Sequence, residues 1–251
     1  SAGAAAFLLP KNGWVWPFQI ILSQLGGSVT SLDGEKVTID DEKGIQAMKE
    51  VKRLWETKAN LDTEWLKAPY YAAIKGGKLA SDYMPAWMRG FVRAETKTPD
   101  EGLGKWRVAP LPVMNGGISR TAQIGGATLA STRFTQSPEA VKEFMKYAFA
   151  SVDGATATGS WGIIPSYLPY LEGSTFQNQK DVIFGDFLFS KLWAELAKEL
   201  APNFARTAVY GEAGTITTRE MMPILTGEVA VEAGMKKIGN QVRDANSRYQ
   251  N

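Results

Sequence analysis

The sequence predicts a helix-rich fold of the α/β or α+β class. Apolar residues recur at helical spacing in several segments, and short extended stretches lie between them without strict strand–helix alternation. The chain has 251 residues, of which 44% are hydrophobic and 22% are charged, as in ordinary globular proteins. This length can bury a sizeable core as one large domain or two smaller ones. We find no internal repeat and no low-complexity tract.

The N-terminal part is predicted to begin with a helix, a hairpin and a second helix. Residues 16–25 form an apolar run with a proline in the first turn and a glycine pair after the end, which is the pattern of a short buried helix. Residues 28–39 alternate β-branched and polar side chains around Asp33-Gly34, which favours a hairpin turn. Asp40 or Asp41 then caps a helix that extends to about residue 58 and carries one apolar stripe.

The middle of the chain is predicted to contain extended segments and two helix starts. Residues 79–84 predict a short strand, and the proline that follows opens a helix through about residue 94. Residues 106–111 and 120–131 predict further extended stretches, the second interrupted by a glycine pair. Ser137-Pro138-Glu139 predicts another helix start, because it combines an N-cap, a first-turn proline and an acid near the helix dipole.

The C-terminal part is predicted to contain three helices. Residues 181–200 carry an apolar residue at every fourth position, which indicates one long helix ended by a proline. Residues 217–226 predict a helix closed by a glycine. Val231, Met235 and Val242 lie on one apolar stripe of the last helix.

The absence of histidine and cysteine removes whole classes of chemistry. Without them the chain cannot form a Ser-His-Asp or Cys-His nucleophile pair, a histidine general base, a Cys/His zinc site or a cysteine-ligated iron–sulfur cluster. The net charge of +2 and the lack of a Lys/Arg run argue against a dedicated nucleic-acid binder. No apolar run approaches the roughly 18–20 residues of a membrane span.

Eight tryptophans give the chain a large amount of flat aromatic surface. Several of them lie in Pro- or Gly-flanked segments, where a core residue is less expected. An aromatic face with a polar rim suits a ligand that has both apolar C–H faces and hydroxyl groups, and a sugar is the obvious candidate. The tryptophans at core spacing are interpreted as packing residues: Trp55, Trp65, Trp106 and Trp193.

Two other function classes stay open on the residues alone. A carboxylate-dependent glycoside hydrolase or lyase needs neither histidine nor cysteine, and Asp82, at the end of a predicted strand, is the acid most like a site residue. A structural hydrogen bond or a ligand contact is favoured over catalysis there. A non-ligand interaction module is the other alternative. Lys75-Gly76-Gly77-Lys78 fails the spacing of a phosphate loop and is interpreted as a helix C-cap.

A succession of short motifs follows a set order along the chain. In order they are the segment Lys75 to Trp87 (helix, Gly-Gly, small-residue strand, aromatic), W-R-V-A-P-L-P from Trp106, I-G-G-A-T-L-A from Ile124, S-P-E-A-V-K-E-F from Ser137, S-W-G-I-I-P from Ser160 and L-T-G-E-V-A-V-E-A-G from Leu225. This succession resembles the extracellular solute-binding proteins (family 1) of carbohydrate ABC transporters, the maltose/oligosaccharide-binding type, over about residues 12–245. Ala80-Ser81 and Ala233-Gly234 depart from the usual Ala-Met and Ala-Leu pairs. Both are small changes on elements expected to be buried, and the resemblance stands.

The resemblance implies a type II periplasmic-binding-protein-like fold of two lobes with the ligand between them. Family members begin with a signal peptide and an N-terminal βα segment that has no counterpart here, so the chain is expected to be the C-terminal portion. Residues 1–122 and 181–251 are then expected in the C-terminal lobe. Residues 123–127 are expected as a hinge crossing, and residues 128–180 as a segment of the N-terminal lobe.

The resemblance also implies ligand-binding positions and partners. The positions are Asn12, Trp14, Trp16, Asp82, Trp87, Arg89, Gly125, Gly126, Trp161 and Tyr210. Each has a structural alternative, such as a core contact for the tryptophans, hinge geometry for the glycines or a solvated helix face for the arginine. The implied partners are a carbohydrate, an ABC transporter membrane permease and, as one source of the N-terminal lobe, a separate chain. Neither a cofactor, a metal ion nor a catalytic residue is expected, and the implied location is extracytoplasmic, in the periplasm or as a cell-surface lipoprotein.

Overall fold

The computed structural model describes residues 4–10, 14–160, 162–201 and 205–250. These residues are mostly helical, with a small parallel sheet formed by β1 (Phe7–Leu8) and β2 (Asn60–Leu61). The helices in chain order are α1 (Val15–Gln24), α2 (Glu42–Glu56), α3 (Ala68–Lys75), α4 (Met88–Glu95), α5 (Pro138–Ala150), α6 (Val152–Ser160), α7 (Leu168–Glu172), α8 (Ser174–Gln177), α9 (Phe189–Ala197), α10 (Tyr210–Thr226) and α11 (Val231–Ser247). Two 3-10 helices cover Pro99–Glu101 and Val182–Phe184.

The first core lies among α1, α2, α10 and α11. Helix α1 ends before Gly26, whose φ of 71° is a left-handed conformation that glycine adopts without steric cost. The side chain of Asp41 caps α2 by accepting a hydrogen bond from a first-turn N–H at 3.0 Å. Phe18, Met48 and Ile238 are fully buried between these helices. Burial of each such side chain contributes roughly 1.5–3 kcal/mol to holding these four helices together.

Strand β1 lies at the centre of the small sheet. It pairs in parallel with β2, with Phe7 opposite Asn60, and on its other side Ala5 forms a parallel bridge with Leu79. The second core surrounds this sheet and includes Leu8, Tyr70, Leu79, Met88 and Phe189. Because Leu79 is held against the sheet, residues 80–87 leave it at a defined position.

The segment from α5 to α8 forms a separate small layer. Helix α6 contacts α5, α7 and α8. The third core lies here and consists of Ala155, Tyr170, Leu171, Phe176 and Ala194. Helix α5 contributes no buried residue, and its Phe144 and Tyr147 are 60% and 59% exposed. Amphipathic helices normally bury their apolar side, so this face of α5 has no packing partner within the described residues.

Most of the predicted helices are confirmed. Helices α1 and α2 begin and end close to the predicted positions, and α5 begins at the predicted start. Helix α11 carries the predicted stripe, with Met235 and Val242 fully buried. Helix α3 ends at Lys75 and Gly77 has φ of 62°, so the C-cap interpretation of the Gly-Gly pair is also confirmed. None of the described helices has both the length and the apolar character needed to cross a membrane.

The predicted long helix over residues 181–200 is wrong. Asp181 instead caps a 3-10 turn by accepting a hydrogen bond from the Ile183 N–H, and α9 begins only at Phe189. Gly185 lies between them with φ of 59° and ψ of −126°, which is incompatible with a continuous helix. Helix α10 begins at Tyr210, earlier than the predicted start at residue 217.

The predicted strands are only partly present. The hairpin over residues 28–39 is reduced to one antiparallel bridge between Thr30 and Val37, and the strand predicted over residues 79–84 to the bridge at Leu79. Within the described ranges, residues 106–111 and 120–131 belong to no strand, although the Leu111 N–H donates to the Arg120 carbonyl at 2.9 Å. Alternation specifies an extended backbone, but a ladder also needs a neighbouring strand.

Candidate ligand-binding cleft

A wide cleft of about 3080 Å³ opens between the helical layers. Its walls include Trp16, residues 79–87, residues 120–129 and residues 163–166. Single small-molecule pockets usually measure about 300–1,000 Å³, so this cavity has the dimensions of an open cleft between two halves of a molecule. Segments that the sequence assigns to different lobes therefore face the same space.

A series of aromatic rings in mutual contact lies at one side of this cleft. Trp14 stacks on Trp16, with ring centroids 5.4 Å apart and an interplanar angle of 22°. Trp65 lies 4.5 Å from Trp16 and 5.5 Å from Trp87, and the Trp87 ring lies 5.5 Å from that of Phe91. We call Trp14, Trp16, Trp65 and Trp87 the tryptophan cluster. All four are partly buried, and Trp16, Trp87 and Phe91 line the cleft.

Trp87 is held by the loop that follows α6. Gly162 has φ of 98°, and a Cβ on it would lie 3.2 Å from both the Cα and the carbonyl oxygen of Trp87. Glycine accommodates this backbone conformation and this close approach, whereas a larger residue strains both. Gly162 of this motif therefore packs directly on the backbone of Trp87, the aromatic that the resemblance singles out.

Asp82 brings a carboxyl group to the cleft wall with one oxygen unpartnered. Its Oδ2 accepts a hydrogen bond from the Tyr70 hydroxyl at 2.7 Å, and its Oδ1 is buried without a hydrogen-bond partner. Burial raises the pKa of Asp82 to about 6, and the hydrogen bonds from Tyr70 and the Tyr83 N–H oppose this shift. Burial and the adjacent carboxylate raise the pKa of Tyr70 far above its usual value, so its hydroxyl remains a donor.

Arg89 is bonded to partners inside the protein. Its Nη1 donates to Asp181 Oδ2 at 3.0 Å, and its Nη2 donates to the carbonyl of Gly159 at the end of α6. The side chain of Arg89 is 6% exposed and that of Asp181 is 0% exposed, while Arg93 adds a second ion pair to Asp181 at 3.2 Å. The solvated-face alternative for Arg89 is therefore wrong. Its contact with a ligand stays a prediction, and its observed bonds join α4, α6 and the turn at Asp181.

The predicted crossing segment is held by two side chains from the C-terminal part. The Tyr210 hydroxyl donates to the Ile124 carbonyl at 3.0 Å, and Arg206 donates to the Gly126 carbonyl at 2.9 Å. The Arg206 guanidinium carbon lies 5.7 Å from the centroid of the Tyr210 ring. A Cβ on Gly125 or Gly126 would meet nothing within 4 Å, so no close packing requires glycine at these cleft-lining positions.

Comparison with curated proteins finds relatives of one kind. The chain is 26% identical over 199 residues to the arabinooligosaccharide-binding protein of Halalkalibacterium halodurans, covering 76% of this chain and 43% of that protein. It is 24% identical over 225 residues to a probable ABC transporter-binding protein of Deinococcus radiodurans, covering 86% of this chain and 50% of that protein. No protein-family profile matches the chain.

Solved structures share the fold over nearly the whole chain. The ABC transporter associated binding protein of B. animalis subsp. lactis, in complex with β-1,6-galactobiose, superposes with a TM-score of 0.78 at 21% identity, covering 97% of this chain and 62% of that one. The galacto-N-biose-/lacto-N-biose I-binding protein of Bifidobacterium longum gives a TM-score of 0.77 at 17% identity, covering 99% of this chain and 60% of that one. The chain is similar in sequence to binding proteins of ABC transporters and shares the fold of sugar-binding ones. It spans about half the length of the curated relatives it matches.

The packing interpretation is confirmed for Trp55, on the first core, and for Trp65, Trp106 and Trp193, on the second. The sequence did not indicate that Trp65 also lies between Trp16 and Trp87, where its buried Nε1 has no hydrogen-bond partner. Nor did it indicate that Trp106 and Trp193 line the cleft. Predicted ligand residues Asn12 and Trp161 lie outside the described residues.

The cleft lining offers both apolar faces and polar groups to a ligand. The cleft lining combines aromatic rings with the Asp82 carboxyl and the exposed backbone of the crossing segment. Glu101, which also lines it, accepts hydrogen bonds from the backbone N–H groups of Lys97 and Thr98, just before its 3-10 helix. Among the described residues, no three His, Cys, Asp or Glu side chains are grouped as a metal site would require.

Proposed function

We propose that this chain binds a sugar or an oligosaccharide in the cleft and that the whole protein delivers it to an ABC permease. The observation that carries the proposal is the tryptophan cluster, because two of its members and Phe91 line a cleft shared by the two proposed lobes. Aromatic faces pack on the C–H faces of sugar rings, and the polar rim pairs with hydroxyls.

The proposed ligand contacts divide between faces and polar groups. Trp16 and Trp87 supply apolar faces, with Trp14 and Trp65 supporting them from behind. The unpartnered Oδ1 of Asp82 is the natural acceptor for a sugar hydroxyl, since filling it removes the cost of a buried unpaired oxygen.

The proposed division into lobes follows the order of segments. Residues 1–122 and 181–251 belong to the C-terminal lobe, residues 123–127 cross between lobes, and residues 128–180 belong to the N-terminal lobe. The exposed apolar face of α5 supports this assignment, because a further βα segment would bury it. That segment belongs either to the same polypeptide or to a separate chain, and the lobes close on the sugar by hinge motion.

The proposed activity involves no covalent step. The relatives are solute-binding proteins and not enzymes, which supports binding without turnover. The location proposed with this role is extracytoplasmic, where such proteins meet their ligands.

Titration calorimetry with a small sugar panel tests the proposal. The panel contains maltose, arabinotriose, β-1,6-galactobiose and lacto-N-biose, and at least one is expected to bind the chain with saturation. Trp87→Ala is expected to weaken that binding about tenfold or more, equivalent to at least about 1.4 kcal/mol. Phe134→Ala, which removes a ring that is 73% exposed and lies outside the cleft lining, is the matched control and is expected to bind normally.

Two outcomes would count against the proposal. A Trp87→Ala affinity within about twofold of the wild type would remove the stacking role. Release of new reducing ends from any panel sugar would instead support the glycosidase alternative, which requires a pair of carboxylates across the bond that is cleaved.

A further inference from the structure

Asp82 presents a buried polar atom that the fold itself does not explain. Buried side-chain oxygens are nearly always hydrogen-bonded, and an unpartnered one in a native protein calls for a reason. Within the described residues such atoms are few: Trp65 Nε1, Asp82 Oδ1, Arg89 Nε and Gln179 Oε1. Trp65 and Asp82 both adjoin the Tyr70 hydroxyl, beside the tryptophan cluster. The orphan oxygen therefore lies in the proposed binding region and not at a random place in the core.

We propose that sugar binding is linked to the protonation state of Asp82: the ionised carboxylate accepts a ligand hydroxyl at Oδ1, and its protonation in acid releases the sugar. This inference rests on the proposed function of the cleft. It adds to that function a regulating group and a direction, since ligand uptake removes a proton from the protein and acid opposes it.

The surroundings of Asp82 make such linkage possible because no cation in the described part of the chain holds the carboxylate ionised. Helix α3 supplies Tyr70, a neutral donor, and the chain next to Asp82 supplies Tyr83. The positive charge of Arg53 in α2 lowers the pKa of Tyr83, against the larger effect of burial. No described lysine or arginine forms an ion pair with Asp82 itself. Among the residues that the structure describes, only neutral hydrogen-bond donors stabilise its charge, and a ligand hydroxyl would add the missing one.

The size of the effect follows from the population of the ionised form. Burial raises the pKa of Asp82 to about 6. The ionised fraction is then about 0.1 at about pH 5 and close to one at about pH 7.5, and the apparent affinity falls in proportion to it. The dissociation constant of the wild type should accordingly rise about tenfold when the pH is lowered from about 7.5 to about 5.

The test is a sugar titration at a series of pH values between about 5 and about 7.5, followed by tryptophan fluorescence. The probe is β-1,6-galactobiose or arabinotriose, whichever binds the wild type more tightly. Asp82→Asn keeps the shape and removes the titration, so its affinity should be lower than the wild type at neutral pH and independent of pH. Asp186→Asn removes a carboxylate whose side chain is 99% exposed and should behave as the wild type.

Tyr70→Phe provides a second, independent variant. Removing the hydroxyl donor raises the pKa of Asp82 further, because the hydrogen bond from Tyr70 lowers it in the native protein. The midpoint of the affinity loss should therefore move to higher pH in Tyr70→Phe, a shift that a merely structural role of Tyr70 would not produce.

The outcomes separate this inference from the function on which it rests. Sugar binding that does not change with pH, or that strengthens in acid, overturns the linkage and leaves the binding function intact. Equal pH dependence in the wild type and Asp82→Asn overturns it as well, since another group would then be responsible. Absence of saturable binding by any sugar to folded protein overturns both.

Discussion

Replacing Asp82 by asparagine should stabilise the ligand-free chain at neutral pH. The pKa of Asp82 rises from 3.8 to about 6 on folding, so the folded state holds a proton at this group more tightly than the unfolded chain does. A carboxyl with a raised pKa stabilises the fold below about pH 4, and that contribution is lost as the pH rises through about 6. This rise in pKa corresponds to about 3 kcal/mol, an upper limit for the cost of ionising Asp82 in the folded protein.

Asparagine removes this cost with little change in shape. Its Oδ1 can still accept the hydrogen bond from the Tyr70 hydroxyl, which is 2.7 Å from the carboxylate in the native chain. The variant should thus gain about 1–3 kcal/mol over the wild type at about pH 7.5, and the difference should shrink toward zero near pH 4. A gain of this kind at a site where binding is lost is typical of residues kept for function.

Urea denaturation of both proteins at a series of pH values measures this difference. Asp186→Asn serves as the control, since it removes an exposed carboxylate and should leave the curve unchanged. An Asp82→Asn protein that is less stable than the wild type at neutral pH, or a stability difference that stays constant from about pH 4 to about pH 8, would refute the argument.

Three further substitutions have defined expectations. Arg89→Met should lower the free energy of unfolding by about 3–5 kcal/mol in urea denaturation, because it leaves the buried Asp181 without its main partner; a loss under about 1 kcal/mol would mean that the pair is not needed. Gly162→Ala should lower the melting temperature and weaken sugar binding, since alanine is strained at φ of 98° and its Cβ would crowd the backbone of Trp87 at 3.2 Å; unchanged affinity would show that the loop does not position the ring. Tyr210→Phe should cost about 1 kcal/mol in thermal unfolding through the lost bond to the crossing segment, and a stabilised variant would contradict this.

The helices could be predicted from sequence wherever local signals agreed with one another. For α2, the N-cap aspartate at Asp41 and one continuous apolar stripe specify the same element, and tertiary packing did not override them. For residues 181–200, the fourfold apolar spacing conflicts with Gly185, whose positive φ ends the helical path. The spacing alone does not reveal that a glycine will be used in this way, because glycine also tolerates helical angles.

The candidate site was predictable residue by residue only in part. Trp87 and Asp82 follow a strand signal and a family motif, so their position at the cleft could be expected from sequence. Trp65 could not be placed, because its neighbours Trp16 and Trp87 are distant in the chain and are brought to it by the packing of α1, α3 and α4. The internal bonding of Arg89 likewise depends on Asp181, a partner that no local pattern indicates.

The tryptophan indole N–H signals in a proton–nitrogen NMR spectrum test the central claim most directly. The chain has eight tryptophans, and each can be assigned by a Trp→Phe variant. Addition of a panel sugar that binds should shift the signals of Trp16, Trp65 and Trp87 and leave that of Trp55, on the first core, in place. Sugar binding that moves none of the tryptophan-cluster signals would contradict the account.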